Sequence, residues 1–339
     1  MDLTLSPEQE AIRDAIRAVL AARSPLARVR AVVTEEPGLD PAVWRAAGEL
    51  GWFGLATPEA AGGAGYGLPE AALLFVELGR TLAPGPWLGT VLAAPLAPRG
   101  AATEVLAGTC RVAVIDDPEE RLGAGASLDG EAPHVPDAAA AQALLVLGAR
   151  RVRWCAADAR GVGIRPVASL DPTRRLARVG FAAAPATVLD ADAARVRLEA
   201  AVLVAAEAVG VAERTLELSV EYAKVRQQFG RPIGAFQAIK HRCADMAVRT
   251  EAARALMLYA AVALRDGEPD AALAVHGAKM LAGRAALANA TDNIQNHGGM
   301  GYTWEADAHL YLKRAHLLEH AFGARAVHLD ALAAPWRAA

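Results

Sequence analysis

Cysteine is scarce in this sequence, and the few cysteines present are not spaced to bind a metal or form a redox pair. Only Cys110, Cys155 and Cys243 occur in 339 residues, far apart along the chain. Neither a CxxC pair nor a zinc-ligand spacing is present, so we expect no metal site. Isolated cysteines are usually small core residues, and unpaired thiols suit a reducing compartment such as the cytoplasm.

An excess of positive charge and long apolar runs are also lacking. The chain has 35 Lys and Arg against 38 Asp and Glu, a net charge of -3. Such a chain has no basic field to attract nucleic acid or anionic lipid. No apolar run is long enough to span a bilayer. The chain opens with Asp2 and an amphipathic segment, which does not resemble a signal peptide. We therefore expect a cytoplasmic protein without nucleic-acid or membrane partners.

Helical patterns dominate the first 108 residues. Ser6 to Gln9 forms a capping box, with serine at the N-cap, proline at the first helical position and glutamine at N3. Asp40-Pro41 has the form of a second helix start, and apolar residues between Ala71 and Leu78 predict a third helix that ends before Pro84. The glycine-rich stretch from Pro58 to Gly67 is expected to be a loop.

The pattern changes twice further along the chain. Between Arg111 and about Val188, short apolar runs are separated by Gly, Pro and Asp, which predicts a β-domain. From Asp192 onward, long helical segments are predicted near 193–224, 236–265, 268–296 and 305–330. The sequence therefore predicts a mainly α fold with a central β-domain, divided at 1–108, 109–191 and 192–339.

Several segments carry a resemblance to a known family. They are Glu49–Glu59 (ELGWFGLATPE), Arg226–Gln237 (RQQFGRPIGAFQ) and Gln295–Gly301 (QNHGGMG), in that order. Together they resemble the acyl-CoA dehydrogenase family over essentially the whole chain. The resemblance implies an N-terminal helical domain, a small β-barrel-like middle domain and a C-terminal four-helix bundle. It also implies FAD, with the last two segments holding its ADP half across a subunit interface.

The residue types in these two segments suit that role. Arg226 offers a positive fork to a pyrophosphate, Phe229 offers a flat surface to the adenine, and neutral hydrogen-bonding groups come from three glutamines, Gln228, Gln237 and Gln295. Gly298 and Gly299 let backbone N–H groups approach phosphates without a Cβ in the way. Taken singly, each segment also fits a helix-joining turn with solvated polar residues.

The chemistry of the family requires a carboxylate that removes the α-proton while flavin N5 accepts the β-hydride. The resemblance places the usual base position at Phe322 and the alternative position at Ala200, so neither carries a carboxylate. Nearby candidates are Glu199, Glu207 and Glu319. For each, a surface carboxylate or a helix-pairing ion pair is the competing interpretation.

The β-domain also departs from the family around the flavin ring. Asp116-Asp117-Pro118 stands where the family has Thr-Glu-Pro, and His134 and Pro136 align with a flavin-facing Trp and Thr. Proline offers no donor to N5, and a carboxylate at Asp116 would repel an anionic reduced flavin. His134 is a candidate replacement acid or base, against the interpretation of a half-buried structural histidine.

These departures resemble the small partner subunit of heteromeric acyl-CoA dehydrogenases. We therefore expect an FAD-dependent oxidoreductase subunit that lacks its own base and acts on an acyl-CoA or acyl-carrier-protein thioester. Its partner is expected to be a second acyl-CoA dehydrogenase subunit or another copy of this chain. Two alternatives stay open: a non-catalytic structural or regulatory protein, or a fold repurposed for another thioester reaction in biosynthesis, with His134 or Glu207 as acid or base.

Overall fold

The structure, a computed structural model, describes residues 3–36 and 38–337, so Asp2 lies outside the described residues. Within those ranges the chain forms eleven α-helices and nine β-strands. The helices are α1 (Pro7–Arg23), α2 (Leu26–Val32), α3 (Pro41–Glu49), α4 (Leu68–Thr81), α5 (Trp87–Ala93), α6 (Arg99–Leu106), α7 (Ala193–Val225), α8 (Gln237–Asp266), α9 (Ala271–His297), α10 (Ala308–His320) and α11 (Arg325–Arg337). The strands are β1 (Val112–Asp116), β2 (Ser127–Pro136), β3 (Ala143–Leu147), β4 (Arg151–Ala156), β5 (Val162–Val167), β6 (Leu176–Pro185), β7 (Thr187–Asp192), β8 (Gln227–Gln228) and β9 (Arg231–Pro232).

Two predicted helix starts are confirmed by their capping hydrogen bonds. The Ser6 backbone N–H donates to Gln9 Oε1 at 3.0 Å, and the Gln9 N–H donates to Ser6 Oγ at 3.2 Å. Asp40 Oδ1 accepts from the backbone N–H of Ala42 at 2.8 Å and of Val43 at 3.3 Å. These bonds satisfy N–H groups that have no partner inside the helix, which fixes where α1 and α3 begin.

The central strands form two sheets on one hydrophobic core. The first has the order β1-β3-β4-β7, with β1 parallel to β3 and the other pairs antiparallel, and the second is the antiparallel β2-β6-β5. Ile115 and Val146 from the first sheet share a buried cluster with Leu128 and Val179 from the second. The predicted mainly α fold with a central β-domain is confirmed.

By contacts the chain divides into two compact units, and the sheets belong to the second. This second unit comprises Ala18–Ala71 and Ala83–Ala200. Its helical part packs around Trp44, whose ring centroid lies 4.6 Å from those of both Phe53 and Trp87. The Trp44 indole N–H donates to the Gly108 carbonyl at 2.7 Å, so this buried aromatic group also has its polar atom satisfied.

The first unit takes in the chain up to Arg17, Ala72–Leu82 and everything from Ala201 onward. Within it, α4 and α7 touch backbone to backbone through two glycines. A Cβ on Gly79 would lie 2.0 Å from the Glu207 carbonyl oxygen, and one on Gly210 would lie 1.9 Å from that of Val76. No side chain fits at either position, so the contact requires glycine on both helices.

The prediction of one helical segment over 305–330 is wrong. Two helices occupy this region, α10 and α11, and the chain turns between them at residues 321–324. Phe322 has a φ of 55° and Gly323 a φ of 105°. Both values lie outside the right-handed helical region, so the helix cannot continue through them. The C-terminal part thus carries α11 in addition to α7–α10.

Further predictions concern cysteines and membrane segments. Cys110 and Cys155 are buried, as expected of core residues, whereas Cys243 is only half-buried. Burial raises the pKa of the Cys110 and Cys155 thiols.

Across residues 3–36 and 38–337, no helix combines the length and the apolar character that crossing a membrane would require. The same ranges contain no cluster of three His, Cys, Asp or Glu side chains suited to hold a metal ion.

Candidate functional site

A short β-hairpin follows α7 and carries two of the predicted cofactor residues, Gln228 and Phe229, with Arg226 directly before it. β8 pairs with β9 through Gln227 opposite Pro232 and Gln228 opposite Arg231. The two residues of the turn, Phe229 and Gly230, have φ values of 54° and 75°, as in the tight turns that join hairpin strands. Phe229 is 91% exposed, so the hairpin presents a large aromatic side chain to the surroundings.

The hairpin and the glycine-rich turn emerge at the same end of the first unit. Tyr222, four residues before Arg226, stacks on His297 with ring centroids 4.2 Å apart. Arg242 Nη1, near the start of α8, donates to Asn296 Oδ1 at 2.9 Å. These contacts join the end of α7 and the start of α8 to the end of α9, which leads directly into Gly298.

The side chains predicted to bind the cofactor are exposed at this end. Arg226, Gln228, Gln237 and Gln295 are all exposed, as is Gly299. The Arg226 guanidinium has no carboxylate partner in the described part of the chain, while its carbonyl accepts from Ile233 N–H at 2.8 Å and so fixes the hairpin. The Gln228 side-chain amide donates to the Gln227 carbonyl at 2.8 Å.

The glycine-rich turn leaves room for a ligand. Gly298 has a φ of 62°, which a side chain would strain. A Cβ on Gly298 or on Gly299 would meet no atom within 4 Å, so each faces open space. An uncommitted guanidinium, an exposed flat ring and a turn with accessible backbone fit the ADP part of FAD.

Neither predicted base position carries a group that can accept a proton. Phe322 lies in the turn between α10 and α11, and Ala200 is completely buried on α7. Glu207, two turns after Ala200 on α7, is 3% exposed and its Oε1 lies 2.6 Å from Nη1 of Arg314, which is fully buried. Glu207 thus forms an ion pair that joins α7 to α10.

The two other candidate carboxylates have different surroundings. Glu199 pairs with Arg195 one turn earlier on α7, at 2.8 Å and with both side chains partly exposed. Glu319 is half-buried at the end of α10, and its side chain lines a cleft beside α9. Its backbone carbonyl accepts a hydrogen bond from Lys279 Nζ at 3.2 Å.

In the second unit, the β-domain residues near the predicted flavin position are tied to local partners. Asp116 Oδ1 accepts from Arg197 Nε at 2.7 Å, so a cation offsets the charge that would repel a reduced flavin. Asp117 is buried and accepts from the backbone N–H groups of Arg121 at 2.8 Å and Leu122 at 3.1 Å. These bonds fix the segment that follows β1.

His134 is exposed, so the interpretation of a half-buried structural histidine is wrong. It lies where the pairing of β2 with β6 is irregular, between Ala132 and Val135. Because the strand is interrupted there, the side chain is not drawn into the core. Pro136 pairs with Leu176 at the end of β2 and offers no backbone N–H to a ligand.

Sequence reasoning missed a polar cluster beneath the α10–α11 turn. Lys279, on α9, is 2% exposed and its Nζ donates to the carbonyls of Glu319 at 3.2 Å and Gly323 at 3.4 Å. The Gly323 carbonyl also lies 3.1 Å from His328 Nε2, which must therefore carry the proton. His328 Nδ1 then accepts from His276 Nδ1 at 2.9 Å. The signal in the sequence was a lysine and a histidine within the alanine-rich α9.

Burial determines the protonation of this cluster. It lowers the pKa of Lys279 to about 8, against the opposing effect of Glu319. It also lowers the pKa of His328 to about 4, with Lys279 and His276 adding to the decrease. His328 is therefore neutral near pH 7, in agreement with the acceptor role of its Nδ1.

Comparison with known proteins places these features in one family. Residues 6–103 match the acyl-CoA dehydrogenase N-terminal domain, and residues 196–335 match the acyl-CoA dehydrogenase C-terminal domain. Acyl-CoA dehydrogenase IpdE2 of Mycobacterium tuberculosis is 39% identical over 321 residues, which cover 93% of this chain and 92% of that protein.

Two further relatives extend the comparison. Acyl-CoA dehydrogenase FadE34 of Mycobacterium tuberculosis is 37% identical over 345 residues, covering 93% of this chain but only 46% of FadE34. Among solved structures, a variant of the Tcur3481-Tcur3483 steroid ACAD has a TM-score of 0.88 and 28% identity, over 99% of this chain and 100% of that chain. The chain therefore belongs to the acyl-CoA dehydrogenase family of flavoprotein oxidoreductases.

Proposed function

We propose that this chain is a subunit of an FAD-dependent acyl-CoA dehydrogenase that completes the cofactor site but supplies no catalytic base. The observation that carries the proposal is the state of the candidate carboxylates. The resemblance assigns the two base positions to Phe322 and Ala200, which carry no carboxylate, and Glu207 is committed to a buried ion pair with Arg314. At 3% exposure and with a guanidinium at 2.6 Å, the Glu207 carboxylate is not accessible to a substrate.

Arg226, Phe229, Gln228 and Gln295 are the residues that would hold the ADP half of FAD, with the backbone of Gly298 and Gly299. When bound, FAD supplies the hydride acceptor for α,β-desaturation of an acyl thioester. The contribution of this chain is then to neutralise the pyrophosphate through Arg226 and to cover the adenine with Phe229. The 91% exposure of Phe229 is compatible with this role, because the ring is accessible to a ligand.

A partner is proposed because two β-domain positions that the resemblance places beside the flavin, Asp116 and Pro136, offer it no hydrogen-bond donor. Pro136 has no backbone N–H to donate, and the Asp116 carboxylate accepts a hydrogen bond from Arg197. In FadE34 the region similar to this chain makes up 46% of the protein, so more than half of that polypeptide lies outside the similar region. A second subunit would supply the base and the flavin-facing β-domain to this chain. The Tcur3481-Tcur3483 ACAD is likewise named as two gene products.

The proposed substrate is an acyl thioester carried by CoA or by an acyl-carrier protein. One solved relative, at 28% identity, is named a steroid ACAD, so steroid thioesters belong in the substrate panel.

The test is anaerobic mixing with a panel of acyl-CoA and acyl-carrier thioesters, followed at the oxidised flavin absorption band. The isolated chain, with FAD added, should not bleach with any substrate, and the complex with its partner should. Phe322→Glu in the isolated chain should not restore bleaching, because a base without a positioned flavin lowers the barrier little.

Rapid bleaching by the purified wild-type chain alone would contradict the proposal and point to Glu199, Glu207, Glu319 or His134 as a working base. A complex that contains no stoichiometric FAD would instead favour the non-catalytic alternative. Flavin content, measured from the absorbance of the purified complex, separates these outcomes.

A further inference from the structure

A second site lies on the first unit, in a cleft between α9, the end of α10 and the first turn of α11. Its volume is about 200 Å³, enough for a small ligand with several non-hydrogen atoms. Its lining includes several charged side chains. The lining residues considered below are Lys279, Gly283, Arg284, Glu319, Arg325 and His328. None of these residues belongs to the segments that resemble the family's ADP site.

The lining of the cleft has more positive than negative charge. Lys279, Arg284 and Arg325 face a single carboxylate, Glu319. Both arginine side chains are exposed. In the ranges 3–36 and 38–337, neither has a carboxylate within ion-pair distance. His328 adds no charge near neutral pH, because burial lowers its pKa to about 4. Among the described residues, Glu319 is the one carboxylate that lines the cleft, so two of the three positive charges are not offset there.

Lys279 is the buried member of this set. Its ammonium group carries three N–H donors, and the chain provides two acceptors, the carbonyls of Glu319 and Gly323 at 3.2 and 3.4 Å. Both bonds are long, and one donor is left over. A buried cation with incomplete hydrogen bonding is costly, and an anion in the cleft would offset that cost.

The shape of the cleft depends on Gly283. A Cβ at this position would lie 3.7 Å from Glu319 Cα and 3.8 Å from its Cγ, which is ordinary contact. The glycine therefore opens the space between α9 and α10 without being required by the backbone. A longer side chain there would fill the cleft while leaving its charges unchanged.

We propose that this cleft binds a phosphate-class oxyanion through Lys279, Arg284 and Arg325. Three cationic side chains from two helices suit an anion with several oxygens, and arginine forks match phosphate oxygens in pairs. The anion is free phosphate or a phosphate group on a larger molecule such as CoA. This binding is independent of FAD and of the missing base.

The test is titration calorimetry of the full chain with inorganic phosphate, with CoA and with phosphate-free pantetheine, at constant ionic strength set by chloride. Phosphate or CoA should bind saturably, and pantetheine should not. The double variant Arg284→Gln/Arg325→Gln should lower the affinity at least ten-fold, because two charge-assisted contacts are removed. Gly283→Leu should also weaken binding, by occupying the space.

The matched control is Arg160→Gln/Arg165→Gln, which removes two exposed arginines from the β-domain and changes the net charge equally. It should leave the affinity unchanged. Phosphate binding without CoA binding would identify the free anion as the ligand, and the reverse would identify a phosphorylated molecule. Absence of binding by both, or an equal loss in the control, would overturn the proposal.

Discussion

The buried pair of Glu207 and Arg314 provides the sharpest test of the interpretation that no carboxylate here acts as a base. Both side chains are almost completely buried, at 3% and 0% exposure, with the charged atoms 2.6 Å apart. Removing one partner of such a pair leaves an uncompensated charge in the core and costs about 3–5 kcal/mol. Glu207→Met should therefore destabilise the first unit by about that amount and lower its Tm by on the order of 10 °C.

Replacing both partners by apolar residues should restore most of the stability. Glu207→Met/Arg314→Leu leaves no buried charge, and such replacements are often close to neutral. The two single variants would sum to about 6–10 kcal/mol if they were independent, so the double variant should show a coupling of several kcal/mol.

The assay is urea unfolding followed by circular dichroism, at fixed protein concentration. Glu199→Gln is the matched control, because this carboxylate pairs with Arg195 on the same helix surface at 2.8 Å. Exposed pairs of this spacing contribute about 0.3–0.5 kcal/mol.

A different result would refute the reasoning. If Glu207→Met left the unfolding curve unchanged but abolished flavin bleaching in the assembled complex, Glu207 would be a base and not a structural ion. Destabilisation with flavin bleaching retained per mole of folded complex would support the structural role.

The remaining predictions concern the cofactor site, the helix contact and the polar cluster. Arg226→Ala should lower FAD affinity at least ten-fold, since a charge-assisted contact contributes about 1.5–3 kcal/mol; the flavin-to-protein absorbance ratio after gel filtration measures it, with Arg160→Ala as control. Gly210→Ala should cost more than about 3 kcal/mol in urea unfolding, because its Cβ would lie 1.9 Å from a backbone oxygen. Gly277→Ala should be close to neutral or stabilising, because the nearest atom is a side-chain methyl of Leu256 at 3.3 Å. Because the pKa of His328 is lowered to about 4 in the folded state, the unfolded state takes up the proton first as pH falls. The stability of the wild type relative to His328→Gln should therefore decrease between about pH 6.5 and 4, and unchanged relative stability in urea titrations across this range would contradict the assignment.

Local signals made much of the fold predictable. Ser6 and Gln9 exchange hydrogen bonds at the start of α1, and Asp40 accepts from the Ala42 N–H at the start of α3. Such capping bonds join near neighbours, so the residue types alone predict them. The change from long helical segments to short apolar runs likewise predicted the β-domain, because this pattern is also local in the sequence. The helices α2 and α5 were not predicted. Each is only 7 residues long and begins directly after a proline, Pro25 or Pro86, and so short a segment carries little periodicity.

Features set by tertiary context were less predictable. Phenylalanine seldom takes a positive φ, so the residue type at position 322 does not predict the break between α10 and α11. Glu207 and Arg314 are 107 positions apart in the sequence. A helix-pairing ion pair was therefore one interpretation of Glu207, beside its role as a candidate base. The cluster of Lys279, His276 and His328 was not predicted, because its hydrogen-bond acceptors are backbone carbonyls at a turn that was itself not predicted.

The glycine contact between α4 and α7 has a consequence for synthesis on the ribosome. The first unit draws on the chain before Arg17, on Ala72–Leu82 and on everything after Ala201. The second unit is complete once Ala200 has emerged. We therefore expect the second unit to fold while translation continues, whereas α4 must wait for Gly210 before Gly79 meets its partner backbone. Until then, apolar side chains of α4 that are buried in the folded chain, such as Leu74 and Leu78, lack their packing partners from α7.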